Sequence, residues 1–231
     1  MNQGNLPFED ILFPSVVREN WQMMQWERIA ITGVLARTRP SVALEIGVYY
    51  GGSLSLTSQF SSRIIAIDID PAVPNRFDVP SNVELRIGDS GTLIPQALDD
   101  IRASGDALNF VLIDADHSSS GIKRDIEAVL KYQPKEPLII LMHDSGNPEC
   151  RKGILAADWQ ANEFVHMVDC DFVPGQIIEH SVVDGRGEVW GGFAIAYLNG
   201  NRRAGPLHVG QGARTSIECL HAHMNSTPSE H

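Results

Sequence analysis

From Ser41 to about Leu141, short apolar runs alternate with amphipathic stretches, and this alternation constrains the chain more than any other feature. Runs of about five apolar residues suit strands buried on both faces, and the amphipathic connectors have the length that crossovers between parallel strands require. The strands are predicted at Val42–Ile46, Ile64–Asp68, Val83–Ile87, Phe110–Ile113 and Leu138–Met142, with helices starting near Ser53, Thr92 and Ser120. In the last helix Ile122, Ile126, Val129 and Leu130 share one face, behind a cap available in Ser118–Ser120. Val16–Arg37 reads as a further helix that covers the core. After Met142 the pattern predicts a helix around Ile154–Glu163 and extended segments at Phe164–Val168, Gln176–Val183 and Gly191–Tyr197. Two closing strands would complete a doubly wound α/β sheet of seven strands.

At 231 residues and 43% hydrophobic content the chain is long enough for one well-buried domain. That domain is placed at residues 41–198, after an N-terminal helical segment at 1–40 and before a C-terminal extension at 199–231. The extension carries Gly200, Gly205, Pro206, Gly210, Gly212 and Pro228 and is expected to pack weakly. Its His221 and His223 have the commonplace spacing of a solvated segment. A formal charge of −11, with only 18 Lys and Arg that never run beyond an adjacent pair, argues against nucleic acid as a partner. No stretch approaches the ~18 apolar residues of a membrane span, and the start Met-Asn-Gln-Gly-Asn-Leu-Pro lacks the basic and apolar regions of a leader. A cytoplasmic protein without a membrane partner is expected. Cys150, Cys170 and Cys219 are odd in number and widely spaced, which predicts free thiols.

The first predicted strand runs into Leu44-Glu-Ile-Gly-Val-Tyr-Tyr-Gly-Gly-Ser53. A glycine-rich turn that opens a helix lets backbone N–H groups approach a ligand where a Cβ would obstruct it. Gly47 and Gly51 are four apart and the loop holds no G-x-G, so it departs from the dinucleotide fingerprint. Glu45 would repel a pyrophosphate but could stabilise a cationic cofactor, and S-adenosylmethionine fits that requirement better than NAD.

Four segments at strand ends carry a resemblance: Glu45–Ser53, Ile65-Ala-Ile-Asp-Ile-Asp-Pro71, Arg86-Ile-Gly-Asp-Ser90, and Ile113-Asp-Ala-Asp-His117 with Met142-His-Asp-Ser145. Taken in order they resemble the class I S-adenosylmethionine-dependent methyltransferases, specifically the small O-methyltransferases of the catechol, macrolide-sugar and cephalosporin-hydroxylase-like group. The resemblance spans Ser41 to Tyr197. It implies a Rossmann-like sheet, mostly parallel with an antiparallel strand near the C-terminal edge. It also implies cofactor contacts from Glu45, Gly47, Tyr49, Gly51, Ser53, Asp89, Ser90 and Asp114. Asp68 ends the second strand, where a carboxylate can accept both ribose hydroxyls, whereas Asp70 before Pro71 suits turn chemistry. Asp89 also suits a helix cap.

Asp114 and Asp144 end neighbouring predicted strands and deliver two carboxylates to one rim, a pairing that suits a divalent cation such as Mg²⁺. The resemblance implies that these acids hold the metal, with a third ligand beside the second acid. His143 or Ser145 occupies that place, and an imidazole ligand shifts the preference from Mg²⁺ towards Mn²⁺, Fe²⁺ or Zn²⁺. His117 stands where catechol-type relatives place a catalytic lysine, and with Asp114 it is the candidate catalytic pair. Its ordinary pKa of about 6.5 suits a base, although the acids around it should raise that value. Asp116 is a second candidate base or a capping acid. The expected reaction is methyl transfer to a hydroxyl of a small molecule, such as a natural-product sugar, polyketide or catechol. A homo-oligomer is expected because relatives often assemble. The acceptor is expected to meet the N-terminal helix, the loop after Asp144 and Asp169–Gly175. The alternatives are a metal-independent methyltransferase, an NAD-linked oxidoreductase and a cofactor-binding protein without activity.

Overall fold

The computed structural model describes residues 21–178 and 188–225. The chain divides into two compact units between Phe110 and Val111, within one of its strands. The first unit holds α1 (Gln25–Thr38), β1 (Val42–Ile46), α2 (Gly52–Phe60), β2 (Arg63–Asp68), β3 (Val83–Ile87), α3 (Ser90–Ser104) and the start of β4 (Leu108–Ile113). Its strands run in the order β4-β1-β2-β3, with β1, β2 and β3 parallel. The register sets Ile46 beside Ile67 and Asp68 beside Ile87, so the turns leaving these three strands open on one rim. Every residue of β1 is buried, as a strand covered on both faces requires.

The second unit continues from β4 through α4 (Ser119–Val129), β5 (Leu138–His143), α5 (Pro148–Ala156), β6 (Val165–Val173), β7 (Gln176–Ile178), β8 (Glu188–Trp190), β9 (Phe193–Leu198), β10 (Val209–Gly210) and α6 (Arg214–Asn225). The strand order is β10-β6-β9-β5-β4, and β9 is antiparallel to both β5 and β6. Helix α4 begins as the serine cluster predicted, with the Ser118 hydroxyl accepting the Gly121 N–H.

The five predicted parallel-type strands lie where the apolar runs placed them, and an antiparallel strand stands near the C-terminal edge. Among the described residues the main sheet has eight strands rather than seven. The eighth is β10, which lies parallel to β6 and comes from the segment expected to pack weakly. Leu207 and Ile217 anchor that segment by burying their side chains. The segment predicted at Gln176–Val183 pairs only with β8, apart from the main sheet, and its residues from 179 lie outside those described. Strand β6 runs on to Val173, where a loop was expected from Asp169. The helix predicted around Ile154–Glu163 starts earlier, at Pro148, because Asn147 accepts the N–H groups of Glu149 and Cys150 and Pro148 has no N–H to satisfy. Trp159–Ala161 forms a separate 3₁₀ turn. Of the helix predicted over Val16–Arg37, the part up to residue 20 lies outside the described residues. The three cysteines are free, as predicted. Among the described residues no helix is long and apolar enough to cross a membrane.

Candidate functional site

In the first unit, the turn after β1 is built on unusual backbone. Gly47 (φ 92°), Tyr49 (φ 52°) and Gly51 (φ 76°) all lie on the left-handed side, where glycine costs least and tyrosine is uncommon. A Cβ on Gly51 would stand 2.8 Å from the Phe77 ring, so a side chain here would have to displace that ring as well as strain the backbone. Asp68 compensates for the turn's strain. Its Oδ2 accepts the N–H groups of Val48 (2.8 Å) and Tyr49 (3.0 Å), and its Oδ1 accepts that of Asp70 (2.8 Å). Both lone pairs of Oδ2 are therefore engaged, which leaves Oδ1 as the atom with spare acceptor capacity.

Glu45 is buried beneath the turn, and its Oε1 accepts the Ser53 hydroxyl at 2.7 Å. Asp70 behaves as a turn acid, with Oδ1 accepting the Ala72 N–H at 2.9 Å. That bond, assisted by Arg76, holds the Asp70 carboxyl below the usual carboxylate range. Arg76 was not legible in the sequence. It pairs with Asp70, donates to the Tyr49 carbonyl and lies over the Tyr49 and Tyr50 rings at 5.3 and 5.4 Å. Asp89 caps α3 by accepting the Thr92 N–H at 3.0 Å, the second of its two expected roles. Ser90, next to it, is the first residue of that helix and is buried.

In the second unit, β4 and β5 are neighbours, and Asp114 and Asp144 follow their last residues. His143 is the final residue of β5, and His117 lies on the loop into α4. The four side chains converge. His143 Nδ1 is 3.0 Å from Asp114 Oδ1 and 3.5 Å from Asp144 Oδ2, while His117 Nε2 is 3.1 Å from Asp144 Oδ2 and 3.5 Å from Asp114 Oδ1. One ligand atom each from Asp114, His143 and Asp144 lie within 4.8 Å of one another. Asp144 has a left-handed backbone (φ 56°), and its Oδ1 accepts the Gly191 N–H at 2.6 Å. The Trp190 ring meets His117 edge-on at 5.7 Å, and Phe193 lies 5.2 Å from His143. Asp116 stays out of the cluster, with Oδ1 accepting the Ser118 N–H at the start of α4. The places of Trp190 beside His117 and of the Gly191 N–H on Asp144 carry no local sequence signal, because only the tertiary fold makes these contacts.

The charges in the cluster act on one another. Burial pushes the Asp114 carboxyl up, but the His143 charge and hydrogen bonds from His117 and His143 outweigh it and hold the group well below the usual carboxylate range. Hydrogen bonds to Asp114 and then Asp144 raise the His117 imidazole from 6.5 to about 10, against the opposing effect of burial. His117 therefore keeps its proton at neutral pH in the metal-free protein. Because its folded pKa lies above its unfolded value, this proton stabilises the fold fully below about pH 6.5, and the contribution is lost as pH rises through about 10. Thermal unfolding of chelator-treated protein should show a falling Tm between pH 6.5 and 10, and His117→Gln should flatten that fall. An unchanged slope in the variant would place the titrating proton elsewhere.

Residues 44–145 match the family model described as "Methyltransferase domain". This segment is similar to methyltransferase domains. It begins in β1, ends just past β5, and contains every cofactor and metal candidate named from the sequence. Among solved structures, the chain is similar to an O-methyltransferase from Bacillus cereus in complex with SAH, at 16% identity and a TM-score of 0.54, over 77% of this chain and 83% of that one. It is also similar to a putative O-methyltransferase from Klebsiella pneumoniae, at 17% identity and a TM-score of 0.53, over 85% of this chain and 92% of that one. At these identities the likeness is one of fold, a Rossmann-like α/β sheet. No curated protein matches the chain.

Proposed function

We propose that this chain transfers a methyl group from S-adenosylmethionine to a hydroxyl oxygen of a small molecule, with a divalent cation held by Asp114, His143 and Asp144. The observation that carries this reading is the convergence of these three residues at the ends of β4 and β5 inside a segment similar to methyltransferase domains. The donor chemistry fits a cation. Two carboxylates and an imidazole with ligand atoms within 4.8 Å can close on an ion whose bonds are about 2.0–2.2 Å long. One nitrogen among the oxygens favours Mn²⁺, Fe²⁺ or Zn²⁺ over Mg²⁺. When bound, such an ion supplies Lewis acidity that lowers the pKa of a coordinated hydroxyl.

The other tasks fall to the protein. Methyl transfer forms an O–C bond as the C–S bond of the sulfonium breaks, so the residues must hold the acceptor in line behind the methyl group and take up its proton. The turn from Gly47 to Ser53, with Glu45, Asp68, Asp89 and Ser90, supplies the cofactor contacts. His117 is the proton acceptor, and Asp114 and Asp144 decide its state. With their charge directed at the imidazole it stays protonated, and with that charge engaged by a cation it returns towards its ordinary value near 6.5. The Trp190 face beside His117 suits an aromatic or sugar acceptor. A metal-independent transferase is the second reading. It is favoured by the way His117 and His143 already oppose the two carboxylates, so that the cluster balances its own charge.

Calorimetric titration of chelator-treated protein with S-adenosylmethionine, S-adenosylhomocysteine and NAD, each with and without Mg²⁺ or Mn²⁺, tests the proposal. Both sulfur nucleosides should bind and NAD should not, and Mn²⁺ should give its own isotherm, tighter than that of Mg²⁺. Nucleoside binding with no metal isotherm would select the metal-independent reading. Binding of NAD alone, or of nothing, would overturn both.

A further inference from the structure

The turn that carries Asp144 is held from two sides. On one side it lies backbone to backbone: Gly146 N–H donates to Gly191 O at 2.9 Å, and Gly191 N–H donates to Asp144 Oδ1. A Cβ added to Gly146 would stand 2.7 Å from Gly175 Cα and 3.0 Å from Gly191 O, so the strands of chain are packed too closely for any side chain between them. On the other side, its two carbonyls point at groups tied to the C-terminal segment. Gly146 O accepts from His221 Nε2 at 2.9 Å, across 75 residues of sequence. Ser145 O accepts from Arg151 Nη1 at 3.4 Å. Arg151 is fixed by a two-pronged pair with Asp171 (2.7 and 3.2 Å), and Asp171 Oδ2 also accepts the Ala213 N–H at 2.9 Å. Helix α6 is thus joined to the turn twice, directly through His221 and indirectly through Ala213, Asp171 and Arg151.

We infer that the C-terminal helix is a latch on the Asp144 turn, and that His221 is a positioning residue whose hydrogen bond to Gly146 O keeps Asp144 in its left-handed conformation. Asp tolerates this conformation better than most non-glycine residues, at a modest cost, so the contacts around the turn decide whether it persists. The Gly191 contact and the His221 contact grip the same three residues from opposite sides. Loss of either would let the turn relax and the carboxylate swing away from His117. The importance of this latch for catalysis rests on the role proposed above for Asp144, whereas the latch itself can be read without substrate, cofactor or metal.

Hydrogen exchange on the metal-free 231-residue chain carries the test, with His221→Ala and His221→Gln compared with the parent. The Gln amide nitrogen can stand near the position of Nε2 and donate to the same carbonyl. In His221→Ala, the amides of Gly146 and Gly191 should exchange about five- to tenfold faster, the size expected for one lost hydrogen bond, while amides in β1 and β2 keep their rates. His221→Gln should restore the parent rates. Calorimetry with S-adenosylhomocysteine and with Mn²⁺ then separates the two layers. Unchanged nucleoside affinity beside weakened Mn²⁺ binding in His221→Ala extends the latch to the site, and equal Mn²⁺ affinity confines it to the backbone. Parent-like exchange in His221→Ala, acceleration spread evenly over the second unit, or no restoration by Gln would each overturn the latch.

Discussion

Asp144→Asn is expected to weaken Mn²⁺ binding by well over about 100-fold, beyond the roughly 10–100-fold seen when a group behind a ligand is lost, and to abolish metal-dependent turnover. Asparagine isolates the charge from the fold. Its side-chain oxygen can still accept the Gly191 N–H, and asparagine tolerates the left-handed backbone that Asp144 adopts at φ 56°. What disappears is one of the two carboxylates that face His117 and His143. Binding of S-adenosylhomocysteine should persist, because no residue assigned to the nucleoside is altered: Asp114 stays in place, and the others lie in or just after β1, β2 and β3. Paired titrations of the variant with Mn²⁺ and with S-adenosylhomocysteine measure both effects. Parent-like Mn²⁺ affinity would remove Asp144 from the ligand set, and joint loss of both ligands would indicate a folding defect instead.

Arg151→Ala should lower the unfolding free energy by about 3–5 kcal/mol, the usual consequence of leaving one charge of a buried pair behind. Both partners are sealed from solvent, at 7% and 4% side-chain exposure for Arg151 and Asp171. With the guanidinium gone, Asp171 keeps its bond from the Ala213 N–H but no opposing charge among the contacts described here. Arg151→Met combined with Asp171→Leu fills similar volume without burying a charge, and it should regain most of the loss. Urea unfolding of the two variants and the parent gives the comparison. A loss below about 1 kcal/mol in Arg151→Ala would mean that water reaches the pair, as at exposed ion pairs.

Much of the candidate site was legible before any coordinates. Asp68, Asp114 and Asp144 each stand at the end of an apolar run and Glu45 one residue before the end of another, and strand ends are where such sheets place functional groups. The resemblance offered His143 or Ser145 beside Asp144 as the third ligand, and the fold brings the His143 imidazole to Asp114 and Asp144; a raised His117 pKa was expected from the acids nearby. Other assignments needed the fold. Asp89 suited both a cofactor contact and a helix cap, and the Thr92 N–H shows the cap. Asp68 was read for its free oxygens, yet the turn it supports engages Oδ2 with two N–H groups. The C-terminal segment looked weakly packed from its glycines and prolines, but composition cannot show that β6 has an open edge for Val209–Gly210 to join.

By itself the sequence determined the class of fold, the positions of the buried strands and the identity of the acids at their ends. These are local properties: a five-residue apolar run and the residue that stops it are both written in a short window. Only the tertiary structure decided which groups complete the site. The Gly191 N–H reaches Asp144 across 47 residues and His221 reaches Gly146 across 75, and both bonds depend on chain geometry rather than on any neighbouring residue. A backbone donor has no side-chain signature, and a histidine in a polar helix reads the same whether it is solvated or bonded. Strand periodicity could therefore locate the carboxylates, while long-range packing alone set what holds them in place.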